Sequence, residues 1–223
     1  MGGYTTGMVV FPFPDRRAAG RLLARELRSF CSEQPVVLAL PRGGVPVASE
    51  IARACGAVLD VIVTRKIGFP RRPELGVGAI AEGMSSPVYD NRILAQLGLA
   101  PADLAQVVVA EKEELARRVR VYRPGRPPPD VAGRAVIVVD DGLATGVTAR
   151  AALASLRSGA FGAGVPGSLV LAVPVAPPAA ADELGADADR VVILRTPRRF
   201  VSVGECYASF PQLTDADVLT LLG

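Results

Sequence analysis

Histidine is absent from the 223-residue chain. That absence removes any mechanism built on a histidine base, a Ser-His-Asp triad or a histidine-held metal. Cysteine is scarce: Cys31, Cys55 and Cys206 are odd in number, far apart, and form no CxxC pair. Such usage argues against a disulfide framework and against structural zinc, and it fits a reducing cytosol. Aromatic residues make up 5% of the chain while half of it is hydrophobic, so the expected core is aliphatic, built on Val, Leu and Ala. Lysine is nearly missing. Lys66 and Lys112 are the only lysines among 25 basic residues; the rest are arginine, the better bidentate partner for phosphate. Formal charge is only +3, and no basic block is long enough to indicate nucleic acid as a partner. Long apolar runs are missing too: SLVLAVPVAPPAAA (168–181) is shorter than a membrane span and broken by prolines. No signal peptide or membrane partner is expected, and the reading is a cytoplasmic protein. The opening MGGYTT matches the loose N-myristoylation pattern, which is too short to carry weight.

What is present reads as alternating helices and buried strands. Residues 14–31 carry apolar positions at helical spacing with arginines on the other face. QPVVLALPRGG reads as a strand ending in a Pro-Arg-Gly-Gly turn, VPVASEIARACG as a helix stopped by Gly56, and AVLDVIVTRK as a second buried strand. This is a βαβ unit, which implies parallel strands. Residues 67–83 are rich in Gly and Pro and predict a mobile loop or a hairpin. A long helix is expected over 101–122, then a stiff RPGRPPPD connector, a strand at 135–140 and a helix from about 148 to 158. SLVLAVPV and RVVILR are further strands with a short Ala-rich helix between them, and runs this apolar suit strands covered on both faces. The expected fold is a single α/β domain: an open, mainly parallel twisted sheet flanked by helices. Its core covers about 35–195, with a flexible loop at 67–83, a helical insert at 84–130 and a small hood from 1–13 and 196–223.

The stretch VIVVDDGLATGVTAR (136–150) raises the chemical question. Four β-branched residues run into Asp140 and Asp141, two carboxylates that repel each other and are costly to bury unpaired. A small-residue loop follows, and then a helix. In open α/β sheets, ligands bind beyond the carboxyl ends of the strands, where this pair falls. Gly142, Ala144, Thr145, Gly146, Val147 and Thr148 supply backbone N–H groups, hydroxyls and a helix N-terminus, which together make a phosphate cradle. A sugar phosphate, with a diol at one end and a phosphate at the other, would reward both features. The bland reading is a capped turn; it accounts for one Asp better than for the whole string. Gly162 to Gly167 matches G-x-G-x-x-G literally, but it precedes a strand and contains Pro166, so it reads as a turn. A haloacid-dehalogenase-like phosphatase needs Asp-x-Asp after its strand, a spacing that is not found here.

VIVVDDGLATGVT resembles the signature with which type I phosphoribosyltransferases bind 5-phosphoribosyl-1-pyrophosphate (PRPP). Pro41-Arg42-Gly43-Gly44 resembles the family's pyrophosphate loop, and Arg65-Lys66 its basic pair before the flexible loop. The resemblance implies a magnesium-dependent transfer of phosphoribose from PRPP to a nitrogen of a base, by a homodimer. It places Asp140 and Asp141 on the ribose hydroxyls and beside the Mg²⁺ ion. Residues 144–148 would hold the 5-phosphate, while Arg42, Gly43 and Gly44 would face pyrophosphate. Arg65 and Lys66 would add positive charge there. Glu74 or Glu82 would take the proton from the base, with Glu74 the choice among the catalytic residues. Phe200 would stack on the base, with Tyr207 and Phe210 as alternatives. DDGLATG is more similar to the adenine-type loop than to that of 6-oxopurine enzymes, which carry an Asp where this chain has Ala144. Two other readings remain: a PRPP-binding regulatory protein without catalysis, and a PRPP synthetase relative, which would need an ATP site that the chain does not display.

Overall fold

The computed structural model describes residues 11–162 and 164–223. The myristoylation pattern and most of the N-terminal share of the expected hood lie outside them. Helices α1 (Arg16–Glu26) and α2 (Arg28–Cys31) lead into β1 (Val36–Ala39). Then come α3 (Gly44–Cys55), β2 (Val58–Val61) and three strands of a separate sheet: β3 (Thr64–Phe69), β4 (Arg72–Ala81) and β5 (Val88–Tyr89). α4 (Asn91–Leu97), a 3₁₀ turn (Pro101–Leu104) and α5 (Ala105–Tyr122) follow. The second half runs β6 (Ala135–Val139), α6 (Val147–Arg157), β7 (Ser168–Val175), α7 (Pro178–Leu184), β8 (Arg190–Arg195) and α8 (Asp215–Leu222).

Five strands form one parallel sheet in the order β2-β1-β6-β7-β8. The residues of β1 and β6 are buried throughout because helices cover both faces, which is why these strands read as continuous apolar runs. Alternation still sorts the side chains. Leu38, Val138 and Leu171 pack with α6 residues such as Leu153 and Leu156. Val37, Ile137 and Val170 pack on the other side with Leu23 and Leu27, with Ile51 of α3, and with Tyr122 of α5. Among the described residues, no single helix is long and apolar enough to cross a membrane.

Two expectations change and one alternative is decided. The stretch 57–66 is not one strand. Ile62 N–H still donates to Ala39 in the parallel sheet, but the carbonyl of Val63 accepts from Glu82, and the chain turns away to pair with β4. The segment 67–83 is accordingly a hairpin, the second of the two forms its composition allowed. Cysteine usage misled: Cys31 and Cys55 are joined in a disulfide, with Cα atoms 4.6 Å apart across 24 residues of sequence. The end of α3 returns beside α2, a proximity that spacing along the chain does not encode. The argument from cysteine to a reducing cytosol therefore loses its support.

Candidate functional site

The sheet order is 2-1-3-4-5 when its strands are numbered as they come, so the topological switch point lies between β1 and β6. Crevices for ligands open at such points, beyond the strand carboxyl ends. Both sequence motifs converge there. The Pro41–Arg42 peptide is cis, and Gly43 and Gly44 lie flat against the end of β6. A Cβ on Gly43 would sit 2.1 Å from Oδ2 of Asp141, and one on Gly44 would sit 2.5 Å from the carbonyl oxygen of Val139. Only glycine allows this approach. α3 starts at Gly44 with no side-chain cap; the Gly44 and Val45 amides donate instead to the Leu40 and Arg42 carbonyls, and Pro46 has no N–H, so this helix start is satisfied by backbone.

Asp141 is buried, and Arg16 Nε donates to its Oδ2 at 2.7 Å. The Tyr207 hydroxyl donates to the Asp141 carbonyl at 2.5 Å, while the Asp141 amide donates to Asp140 Oδ1 at 2.8 Å. Burial raises both carboxyls above their ordinary range. For Asp140 the neighbouring Asp141 charge adds to the rise; for Asp141 the Arg16 guanidinium opposes it. Arg16 also donates to the Pro211 carbonyl at 2.8 Å and lies 3.6 Å from the centre of the Phe210 ring. It thereby ties the C-terminal segment to the acidic pair.

Arg16, Asp141 and Phe210 border a cleft of about 500 Å³, within the usual range for small-molecule sites; Asp140, Gly44 and residues 142–148 are not among those that line it. Arg16, Arg42, Arg65 and Arg118 line it together with Gly43 and Asp141, and Phe210, Gln212 and Leu213 complete the wall. Beyond β6, the loop leads to α6. Gly142 is buried, whereas Ala144 and Thr145 are exposed. Gly146 takes the N-cap at φ 71°, a left-handed conformation suited to glycine, and offers no side-chain cap. The Val147 side chain packs with Ala79, Ala81 and Ala151, so only its backbone can serve a ligand; Thr148 is half-buried.

Other predicted residues lie apart. Lys66 Nζ donates to the Glu74 carbonyl at 2.9 Å, and both residues line a second cleft of about 610 Å³ between the β3–β4 hairpin and α5. Arg65 borders both clefts. Glu82 is paired with Arg123, away from the hairpin tip. Phe200 packs in the apolar cluster around Phe13, Val175 and Tyr207 and is not among the cleft-lining residues, a position that Phe210 takes instead. Phe13 pairs with the C-terminal segment: its N–H donates to the Cys206 carbonyl, and Ala208 N–H donates to the Phe13 carbonyl.

The phosphoribosyl transferase domain model matches residues 16–204. The chain belongs to that family. A phosphoribosyl transferase, so named provisionally, from Mycobacterium tuberculosis is 42% identical over 210 residues, and the same figures hold in two strains. That match takes in 94% of this chain but 46% of the relative, so the chain spans about half the length of the curated relatives it matches. The TT1426 protein of Thermus thermophilus superimposes with a TM-score of 0.74 at 42% identity, covering 94% of this chain and 97% of that one.

Two cleft arginines of this phosphoribosyl transferase domain escaped the sequence reading, as did Gln212 and Leu213. Arg16 lies on the same helical stripe as Gly20, Leu23 and Leu27, and Arg118 falls between Leu115 and Tyr122 on the stripe of α5. An arginine on an apolar stripe was the available signal. As to metal, no group of three or more acidic or thiol side chains among the described residues could hold an ion alone. Magnesium is commonly held by one or two carboxylates plus substrate phosphates, and the Asp140–Asp141 pair fits that kind of donor set.

Proposed function

We propose that this domain transfers the 5-phosphoribosyl group from PRPP to a nitrogen of a base, releasing pyrophosphate. The observation that carries the reading is the convergence, at one switch point, of the Arg42-Gly43-Gly44 loop, the Asp140–Asp141 pair and the uncapped start of α6. Asp140 and the outer face of Asp141 would accept the ribose hydroxyls. Amides at 144–148 would hold the 5-phosphate against the helix dipole. Diphosphate departure leaves an oxocarbenium-like sugar and growing negative charge on the leaving group, which Arg42, Arg65 and the Gly43 amide would stabilise. Magnesium, bound with the diphosphate near Asp140 and Asp141, would neutralise further charge. The β3–β4 hairpin would limit water, which otherwise hydrolyses the donor. Ala144 supports an acceptor other than a 6-oxopurine. A homodimer is carried over from the family resemblance.

PRPP binding with Mg²⁺, measured by calorimetry on wild type and on Asp140→Asn/Asp141→Asn, tests this function. Micromolar-range binding abolished in the double variant is the expected result, followed by pyrophosphate release when bases are supplied. No binding at millimolar PRPP would overturn the reading. One observation favours the non-catalytic alternative: Glu74, the expected proton acceptor, lines the second cleft. PRPP binding without pyrophosphate release from any base would support that alternative.

A further inference from the structure

The segment 84–130 has no role in the reading above, yet its long helix reaches the cleft. α5 packs against β3 and β4 and presents Arg118 to the same space as Arg42 and Arg65. The sequence places Arg118 three residues after Leu115 and four before Tyr122, on the stripe that faces the core rather than solvent. Its side chain is only 16% exposed. Burying an arginine here is costly unless its donors are used.

Each of the three guanidiniums is braced by a carboxylate that does not line the cleft. Arg118 Nε donates to Glu114 at 2.8 Å, Arg65 Nε donates to Glu111 at 2.6 Å, and Arg42 stands 3.9 Å from Asp215. Hydrogen bonds from Arg117 and Arg118 hold the Glu114 carboxyl down at about 2, so the brace stays ionised. Because these bonds take the Nε–H of Arg118 and Arg65, the remaining donors of each planar fork are available to a ligand. A bidentate fork suits phosphate oxygens. Three forks, from the loop after β1, from β3 and from α5, suit a diphosphate, which is longer and more highly charged than a single phosphate.

We propose that Arg118 is a diphosphate-binding residue, through which α5 forms the wall of the cleft that receives the leaving group. This rests on the PRPP-dependent reading of the site. The test compares inorganic pyrophosphate with ribose 5-phosphate, each with Mg²⁺, by calorimetry on wild type, Arg118→Gln, Arg118→Lys and the exposed control Arg120→Gln. Loss of a charged hydrogen-bond pair predicts that Arg118→Gln weakens pyrophosphate about tenfold or more, with Arg118→Lys intermediate. Ribose 5-phosphate affinity should stay within about twofold of wild type, which also reports a folded site, and Arg120→Gln should change neither ligand. Unchanged pyrophosphate affinity in Arg118→Gln, or an equal loss of both ligands, would overturn the proposal while leaving the proposed function standing. Wild-type protein that binds neither pyrophosphate nor PRPP would remove both.

Discussion

Asp140 and Asp141 share a peptide bond but not an environment. The Asp141 carboxylate has Arg16 at 2.7 Å, whereas Asp140 Oδ1 receives the Asp141 amide and feels the neighbouring Asp141 charge, which Arg16 offsets only in part. The fold thus holds a carboxyl group that its surroundings compensate poorly where a ligand is expected, a common compromise between stability and function. Because its folded pKa is raised, Asp140 disfavours folding above that raised pKa, and the penalty disappears below the ordinary carboxylate range. Asp140→Asn keeps the amide's acceptor and removes the charge. It should stabilise the ligand-free protein by roughly 0.5–2 kcal/mol at pH 7.5. The gain should shrink towards zero as the pH falls below about 4. Thermal denaturation at the two pH values checks both; destabilisation at pH 7.5 would mean that the carboxylate is satisfied in the free protein.

Among elements, the pairing of α2 with α3 is the least legible in sequence. Each helix follows from local pattern, and α3 ends on Gly56 in the left-handed conformation as its sequence predicts. Nothing local says that Cys31 will meet Cys55. Closing a loop of 24 residues is worth about 3 kcal/mol through the unfolded chain. Cys31→Ser/Cys55→Ser should lower stability by about that amount in urea, and dithiothreitol should do the same to the wild type but not to the variant. Pyrophosphate affinity should be unaffected, since neither cysteine lines the cleft. Equal urea midpoints for oxidised and reduced wild type would show that the bond adds nothing.

At the scale of the molecule, two sheets and α5 are joined by one buried cation. Arg123, 4% exposed just past α5, pairs with Glu82 beyond β4 and stands 3.4 Å from Asp60 of β2. Burial raises the Asp60 carboxyl, and Arg123 opposes that rise. Replacing the cation leaves the Asp60 and Glu82 carboxylates without the guanidinium they share. Arg123→Met should therefore cost about 3–5 kcal/mol, and hydrogen exchange should accelerate first in β4 and the end of α5. A loss below about 1 kcal/mol would show that water or rearrangement replaces the cation.

Periodicity and apolar runs determined the α/β class, the strands of the parallel sheet and the acidic pair at the end of β6, because each depends on neighbours in sequence. The glycines at 43 and 44 and the 142–146 loop were legible for the same reason. Tertiary structure alone decided which arginines share the cleft. Arg16, Arg65 and Arg118 come from three elements far apart in the chain, whereas Lys66, adjacent to Arg65 on β3, lines the second cleft and not the first. The departure of β3 from the main sheet and the Cys31–Cys55 bond belong to the same class. Each depends on a partner that only the folded chain brings near, and no spacing along the sequence records that distance.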